Sequence, residues 1–330
     1  MIKDQWYGIL DAKEVKPGKP IGVTRVGEKL VLWRDEKGKV CCIFDKCCHR
    51  GASLALGKVM GDHIECPFHG FRYDTSGKVV LIPANGRASE VPERYRVNHY
   101  RVEERYGIIW LWYGEDREVL PEIPFFEELR EGFTYGGFSE TWQVHYTRAI
   151  ENQLDVVHLP FVHGNSIGRG NRTLVNGPVV EWEGDRMTFY VDNRVDDGVS
   201  KPLKPSEVKN YKSLFHLQLQ MPNLWQNIIS DQVRIVAVFA PVDENNTHIY
   251  LRFYQRFMKT PILRGMVNHL SNIGNKYIFH QDRRVVLTQL PVRSELRMDE
   301  NLIPGDLPVI EYRKRREALK NTGAKSPEIL

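Results

Sequence analysis

Long apolar runs are missing from this sequence. The longest, GIIWLWYG and IVAVFAPV, fall far short of the roughly 20 residues that a bilayer-spanning helix needs, so no membrane segment is expected. The start, MIKDQWYGIL, carries Asp4 where a secretory signal would have an apolar core, which predicts a cytoplasmic protein. Charge of one sign is lacking too. A formal net charge of +4 over 330 residues leaves no basic footprint for nucleic acid or an anionic membrane. The absence of an internal repeat, a low-complexity tract and a Gly-rich nucleotide-binding turn sets aside a repeat array and direct dinucleotide binding. What remains, with 42% hydrophobic and 27% charged residues, is an ordinary globular composition at a length suited to two medium domains.

Cysteine is scarce, and its placement is informative. All five, Cys41, Cys42, Cys47, Cys48 and Cys66, lie in the first 66 residues. In a reducing compartment such a cluster points to metal binding or catalysis before a disulfide. Cys41 and Cys42 sit in the strand-like run VCCIF and read as core packing. The others enter the pattern Cys47-x-His49, sixteen residues, then Cys66-x-x-His69. A structural zinc also takes two Cys and two His, but zinc modules usually pair like with like. Here each pair is mixed, which suits a [2Fe-2S] cluster whose two irons take cysteine and histidine ligands separately. The flanks GKVCCIFD, GDHIECP, HGFRYDTSGKVVLI and KLVLWRDEKGKV read as strands and tight hairpins, which makes a small antiparallel β domain. It closes with GIIWLWYG, and the Pro- and Glu-rich connector EDREVLPEIPFFEEL follows.

With CCHRGASL and CPFHGFRYD the segment resembles the Rieske family. The resemblance implies Cys47, His49, Cys66 and His69 as cluster ligands, with Gly51 and Gly70 letting backbone N–H groups approach the sulfides. Cys48 stands where Pro is common and is expected to be a small apolar filler. Phe71 replaces a common Trp and keeps the apolar wall. Respiratory Rieske proteins carry an extra disulfide that would need Cys at position 68; Phe68 stands there, which implies the soluble, lower-potential type.

The second half holds RAIENQLDVVHLPFVHGNS. Asn152, Asp155 and His158, spaced by three, would share one helical face, and Pro160 is expected to end or kink that helix so that His163 swings back toward His158. Two imidazoles and one carboxylate make the facial triad of non-heme Fe(II) enzymes. Taken alone, two histidines five apart fit a surface or core role equally well. Together with the Rieske cassette, however, Glu151 to His163 resembles the Glu-Asn-x-x-Asp-x-x-His-x-x-x-x-His motif of Rieske non-heme iron oxygenases. The third ligand is assigned to Asp282 in NKYIFHQDRRVVLTQLP, which reads as a long helix; His280 and Gln281 beside it are not chosen.

The resemblance implies an α+β chain: an antiparallel β Rieske [2Fe-2S] domain at 1–115 and a helix-grip (START/Bet v 1-like) catalytic domain at 116–330. It implies a mononuclear Fe(II) besides the cluster, and NAD(P)H-derived electrons reaching the chain through a separate reductase, with or without a ferredoxin. Asp155 is expected to accept a hydrogen bond from His158 and to relay electrons from His69 of a neighbouring subunit in a head-to-tail homotrimer. Asp155 and Asn152 are the expected catalytic groups beside the iron. The implied activity is that of a terminal oxygenase, using O2 to hydroxylate or oxidatively demethylate a small aromatic or cyclic compound; cis-dihydroxylation, a plain Rieske electron carrier and a zinc-stabilised binding module stay as alternatives. Asn152, Phe161, Phe215, Leu217, Trp225 and Asn227 are expected pocket walls, HGNSIGRGN an entrance loop or a connector, and EYRKRREALK a solvated terminal helix.

Overall fold

The computed structural model describes residues 1–323. It divides into two compact units, one of Asp4–Ile123 with Pro241–Asp243, the other of Met1–Lys3, Pro124–Ala240 and the chain from Glu244 onward. Among the described residues no helix is long and apolar enough to cross a membrane.

The first unit consists of short antiparallel strands: β1 (Gln5–Asp11), β2 (Ile21–Arg25), β3 (Glu28–Arg34), β4 (Val40–Phe44), β5 (Lys58–Met60), β6 (His63–Glu65), β7 (Arg72–Tyr73), β8 (Val79–Leu81), β9 (Val102–Arg105) and β10 (Ile108–Tyr113). They form three small sheets, ordered β1-β10-β9, β2-β3-β4 and β5-β6-β7-β8. Local side chains set the hairpins. Asp35 Oδ1 accepts from the N–H groups of Lys37 and Lys39 between β3 and β4, and Asp74 Oδ1 does the same for Ser76 and Lys78 between β7 and β8. Trp33, Cys41, Ile43, Ile64, Tyr73 and Val79 build one core, so Cys41 and its neighbour Cys42 are buried as expected.

The second unit carries β11 (Thr134–Trp142), α1 (Tyr146–Leu154), α2 (Leu159–Val162), β12 (Leu174–Glu183), β13 (Arg186–Arg194), β14 (Phe215–Gln220), β15 (Leu224–Ser230), β16 (Val233–Pro241), β17 (Thr247–Gln255), α3 (Pro261–Val286) and α4 (Leu307–Gly323). Its seven strands form one sheet in the order β11-β17-β16-β15-β14-β13-β12. Alternation assigns the faces. Met187 and Phe189 of β13, Leu217 and Leu219 of β14, Trp225 of β15, Ala237 and Phe239 of β16 and Ile249 of β17 enter one core with Ile150 of α1, Phe279 of α3 and Tyr312 of α4. The α+β class is the one expected. Strand β11, in GFTYGGFSETW, carries no sequence signal because Gly136 and Gly137 break its apolar alternation. Packing explains Gly136, since a Cβ there would lie 2.8 Å from Cβ of Asn268 on α3.

The terminal helix corrects the expectation of a solvated element. Tyr312, Arg313 and Arg316 of α4 are buried. Arg313 Nε and Nη2 donate to the two carboxylate oxygens of Glu151 at 2.7 and 2.9 Å, and Arg148 Nη1 donates to Glu151 Oε2 at 3.1 Å. Glu300 lies 2.8 Å from both Arg148 and Arg313. The four charges close a ring on α1, α4 and the segment between α3 and α4. Burial pushes the Glu300 carboxyl up, but Arg313 and Arg148 outweigh it and hold the group below the usual range. Because removing one member strands a buried charge, Arg313→Met is expected to lower the unfolding free energy by about 3–5 kcal/mol, read as a lower urea midpoint at unchanged slope.

Candidate metal centres and substrate cavity

Cys47 follows β4 and Cys66 follows β6, and the two loops repeat one hydrogen-bonding scheme. Gly51 N–H donates to Cys47 O at 2.9 Å and Gly70 N–H to Cys66 O at 3.1 Å; Cys47 N–H and Cys66 N–H donate to Ala52 O and Phe71 O. Gly51 and Gly70 hold φ of +75 and +72°, a conformation that residues with a Cβ rarely adopt. The result is a polarity of position. Cys47 and Cys66 are buried in the core, whereas His49 and His69 are exposed with ring centroids 4.8 Å apart. Burial, and the neighbouring Cys47 thiol, push the Cys66 thiol up. Two inner thiols and two outer imidazoles form a donor set that fits a [2Fe-2S] cluster.

Phe71 stacks on His49 at 4.9 Å, in keeping with its role as an apolar wall. Cys48 departs from the filler expected of it: its thiol is exposed. The Tyr73 hydroxyl stands 3.0 Å from Cys47 Sγ and 3.2 Å from Cys48 Sγ, a contact that no spacing rule announces.

In the second unit the helix break lies earlier than expected. Helix α1 ends at Leu154, and Asp155 is extended, with φ −75 and ψ 117°. The Asp155 carboxylate causes the turn by accepting from the N–H groups of Val157 and His158 at 2.7 and 3.2 Å. Pro160 is the second residue of the four-residue α2 and does not end α1; in the first turn its missing N–H leaves no bond unmade. His158 and His163 thus flank α2 at its two ends. The expected hydrogen bond from the His158 imidazole to Asp155 is not made, since Nδ1 and Oδ2 are 3.7 Å apart and Nδ1 has no hydrogen-bond partner. Burial pushes the Asp155 carboxyl up, but the nearby His158 and the two backbone N–H groups hold it below the usual range.

Asp282 reaches the same point from α3. Its Oδ1 lies 2.9 Å from His163 Nε2 and 3.5 Å from His158 Nε2, and one donor atom from each residue falls within 4.8 Å of the others. Asp282 is 5% and His163 1% exposed, yet Asp282 Oδ1 makes no hydrogen bond. A buried carboxylate oxygen facing two imidazole nitrogens without an aligned proton between them fits a metal cation. Gln281, passed over in the sequence, holds the neighbouring ring. His163 Nδ1 donates to Gln281 Oε1 at 2.9 Å, and Ser166 Oγ donates to the same oxygen at 3.0 Å, which leaves Nε2 as the atom for a metal. His280, also set aside, pairs instead with Glu140 at 2.8 Å.

These three residues, with Asn152 and Asp155, line a cavity of about 1010 Å³. Leu217, Trp225 and Asn227 line it as expected, and Phe215 lines it while 45% exposed. Phe161 does not; it is 70% exposed and lies outside this cavity. Ile167 and Arg169 of HGNSIGRGN also line the cavity, as do Asn275 and Phe279, which the helical period counted back from Asp282 would have revealed.

Residues 5–101 match the family model of the Rieske [2Fe-2S] domain, and residues 142–322 match that of the vanillate O-demethylase oxygenase C-terminal domain. The chain belongs to the Rieske non-heme iron oxygenases. Members of this family carry a Rieske [2Fe-2S] cluster and a mononuclear iron. Among relatives of this Rieske oxygenase, the vanillate O-demethylase oxygenase subunit of Pseudomonas sp. (strain HR199) is 33% identical over 58% of the chain and 53% of that protein. The chloroplastic protein TIC 55 of Arabidopsis thaliana is 32% identical over 48% of the chain and only 30% of that longer protein. Methylxanthine N1-demethylase of Pseudomonas putida is 26% identical over 97% of the chain and 89% of that enzyme. Its solved structure has the same fold, with a TM-score of 0.79 over 98% of this chain and 92% of that one at 24% identity.

Asp282→Ala is expected to abolish iron uptake in the second unit while leaving the visible absorption of the cluster unchanged, read by metal analysis and spectroscopy of one sample. Gln281→Leu, which keeps the three donors, is expected to weaken Fe(II) affinity about 10–100-fold in an anaerobic titration.

Proposed function

We propose that this chain is the terminal oxygenase of a multi-component system and inserts one oxygen atom from O2 into a small organic ring compound, with demethylation as the outcome when the attacked carbon is an N- or O-methyl group. In this reading Cys47, His49, Cys66 and His69 hold the cluster in residues 1–115, and His158, His163 and Asp282 hold the iron in residues 116–330. The observation that carries it is the convergence of two histidines and a carboxylate on one point of a largely apolar cavity. When bound, the cluster supplies single electrons and the iron supplies oxygen activation. The chain's own residues do the rest. Gln281 and Ser166 fix the His163 ring, Asp155 sets the turn that presents His158, and Phe189, Leu217, Trp225, Phe239 and Phe279 exclude water and press the substrate toward the triad. Electrons come from NAD(P)H through a separate reductase, with or without a ferredoxin.

The proposal includes a homotrimer. Ile262, Leu263, Met266, Leu270, Ile273 and Tyr277 of α3 are each 48–79% exposed. At 3.6 residues per turn they fall within an arc of about 100°. An exposed stripe of this kind supports association with further copies of the chain.

An anaerobic single turnover tests the activity: the cluster is reduced chemically, candidate methylated and aromatic compounds are added with isotopically labelled O2, and the product is analysed. One labelled atom per product, or formaldehyde from a methylated substrate, is expected. Two labelled atoms would replace monooxygenation with dihydroxylation, and no substrate-dependent cluster oxidation would reduce the chain to an electron carrier. Light scattering tests the assembly; Met266→Glu combined with Leu270→Glu is expected to convert a trimer to a monomer at unchanged cluster absorption.

A further inference from the structure

Several side chains that line the cavity carry a covered polar atom without a partner, among them Asn152, Asn193, Trp225 and Asn227, and Asn227 is the one set between two aliphatic neighbours in the sheet. Along β15, Trp225 and Asn227 point to the same face of the sheet. The register places Asn227 between Leu217 of β14 and Ile235 of β16, both of which line the cavity with it. Neither neighbour offers a hydrogen bond, and Asn227 Oδ1 is covered without a partner. Because an unpaired buried carbonyl opposes folding, a leucine would serve stability better at this position. The half-buried side chain keeps its NH2 as the end open to the cavity.

The charges around the cavity narrow the ligand further. Arg169, Arg172 and Arg194 line it, but all three are exposed, and Arg194 Nε is engaged by Asp192 at 2.6 Å. The less exposed ionisable groups that line the cavity include the carboxylates Asp155 and Asp282. Among the described residues no buried lysine or arginine lines the cavity, so a substrate carboxylate brought deep into it would have no side-chain cation to pair with. A neutral ring with an acceptor oxygen would meet largely apolar walls and the Asn227 donor, within a volume adequate for one or two fused rings.

Building on the oxygenase reading of this cavity, we propose that Asn227 is a specificity-determining residue and that the substrate is an uncharged ring compound whose carbonyl or ether oxygen accepts a hydrogen bond from Asn227 Nδ2. Binding is measured by calorimetry on the anaerobic protein with cluster and iron in place. The probes are N-methylpyridone for a ring carbonyl, guaiacol for an aryl ether, ortho-methoxybenzoate for a charged ring and toluene for a ring without oxygen. At least one of the first two is expected to bind about 10-fold or more tightly than ortho-methoxybenzoate, and which of them does identifies the oxygen recognised. Asn227→Leu, of similar volume, is expected to weaken that probe about 10-fold, to leave toluene binding unchanged or tighter, and to melt no lower than the parent. Tighter binding of ortho-methoxybenzoate, an equal effect of Asn227→Leu on toluene and the oxygenated probe, or no binding of either oxygenated probe would overturn the proposal. Binding as expected without O2-dependent turnover would instead overturn the oxygenase reading and leave Asn227 in its role.

Discussion

The ring of Arg148, Glu151, Arg313 and Glu300 is the constraint on which the catalytic unit depends. Arg148, Glu151 and Arg313 are buried and each loses hydration worth several kcal/mol, so the ring is tolerable only when every member is paired, as here. Arg148 Nε also donates to Pro291 O beyond the end of α3. One set of charges therefore ties together α1, the segments around α3 and α4. The triad is drawn from those same elements, with His158 and His163 just after α1 and Asp282 on α3. Glu151, which a sequence motif groups with His158 and His163, acts at one remove, by fixing the helix that leads into them.

Around that frame the unit separates chemistry from packing by the two faces of its elements. The helix-facing side of the sheet is apolar from β13 to β17, so exceptions on it are conspicuous. Asn227 stands in the wall, and Asn152 and Asp155 stand beside the triad. The cluster unit makes the corresponding separation within two small loops. Its thiols point into the core and its imidazoles lie at the surface.

Much of this architecture was legible in the residues because it rests on short-range rules. The Cys-x-His and Cys-x-x-His spacings, the Asp35 and Asp74 hairpins and the alternation in β13 to β17 each involve positions a few residues apart. Short-range reasoning failed where two local signals competed or a distant partner was needed. Pro160 looked like the helix breaker, but the Asp155 carboxylate, by capping two backbone N–H groups, ends the helix first. Phe161 looked like a pocket wall, but the four-residue helix that carries it turns its ring outward. The basic run in α4 looked solvated because its acidic partners, Glu151 and Glu300, lie elsewhere in the chain.

The order of the amino acids was enough to specify which donor atoms exist, in what sequence they occur along the chain and which strands alternate, since those properties follow from backbone geometry over one or two turns. Folding settled which of those atoms meet. Gln281 became the partner of a histidine 118 positions away, and two arginines of α4 went inside. A carboxamide on β15 was left without a protein partner between two aliphatic neighbours. Such outcomes depend on burial and pairing across the packed molecule, where a polar group must find its complement, and no local pattern encodes where that complement will be.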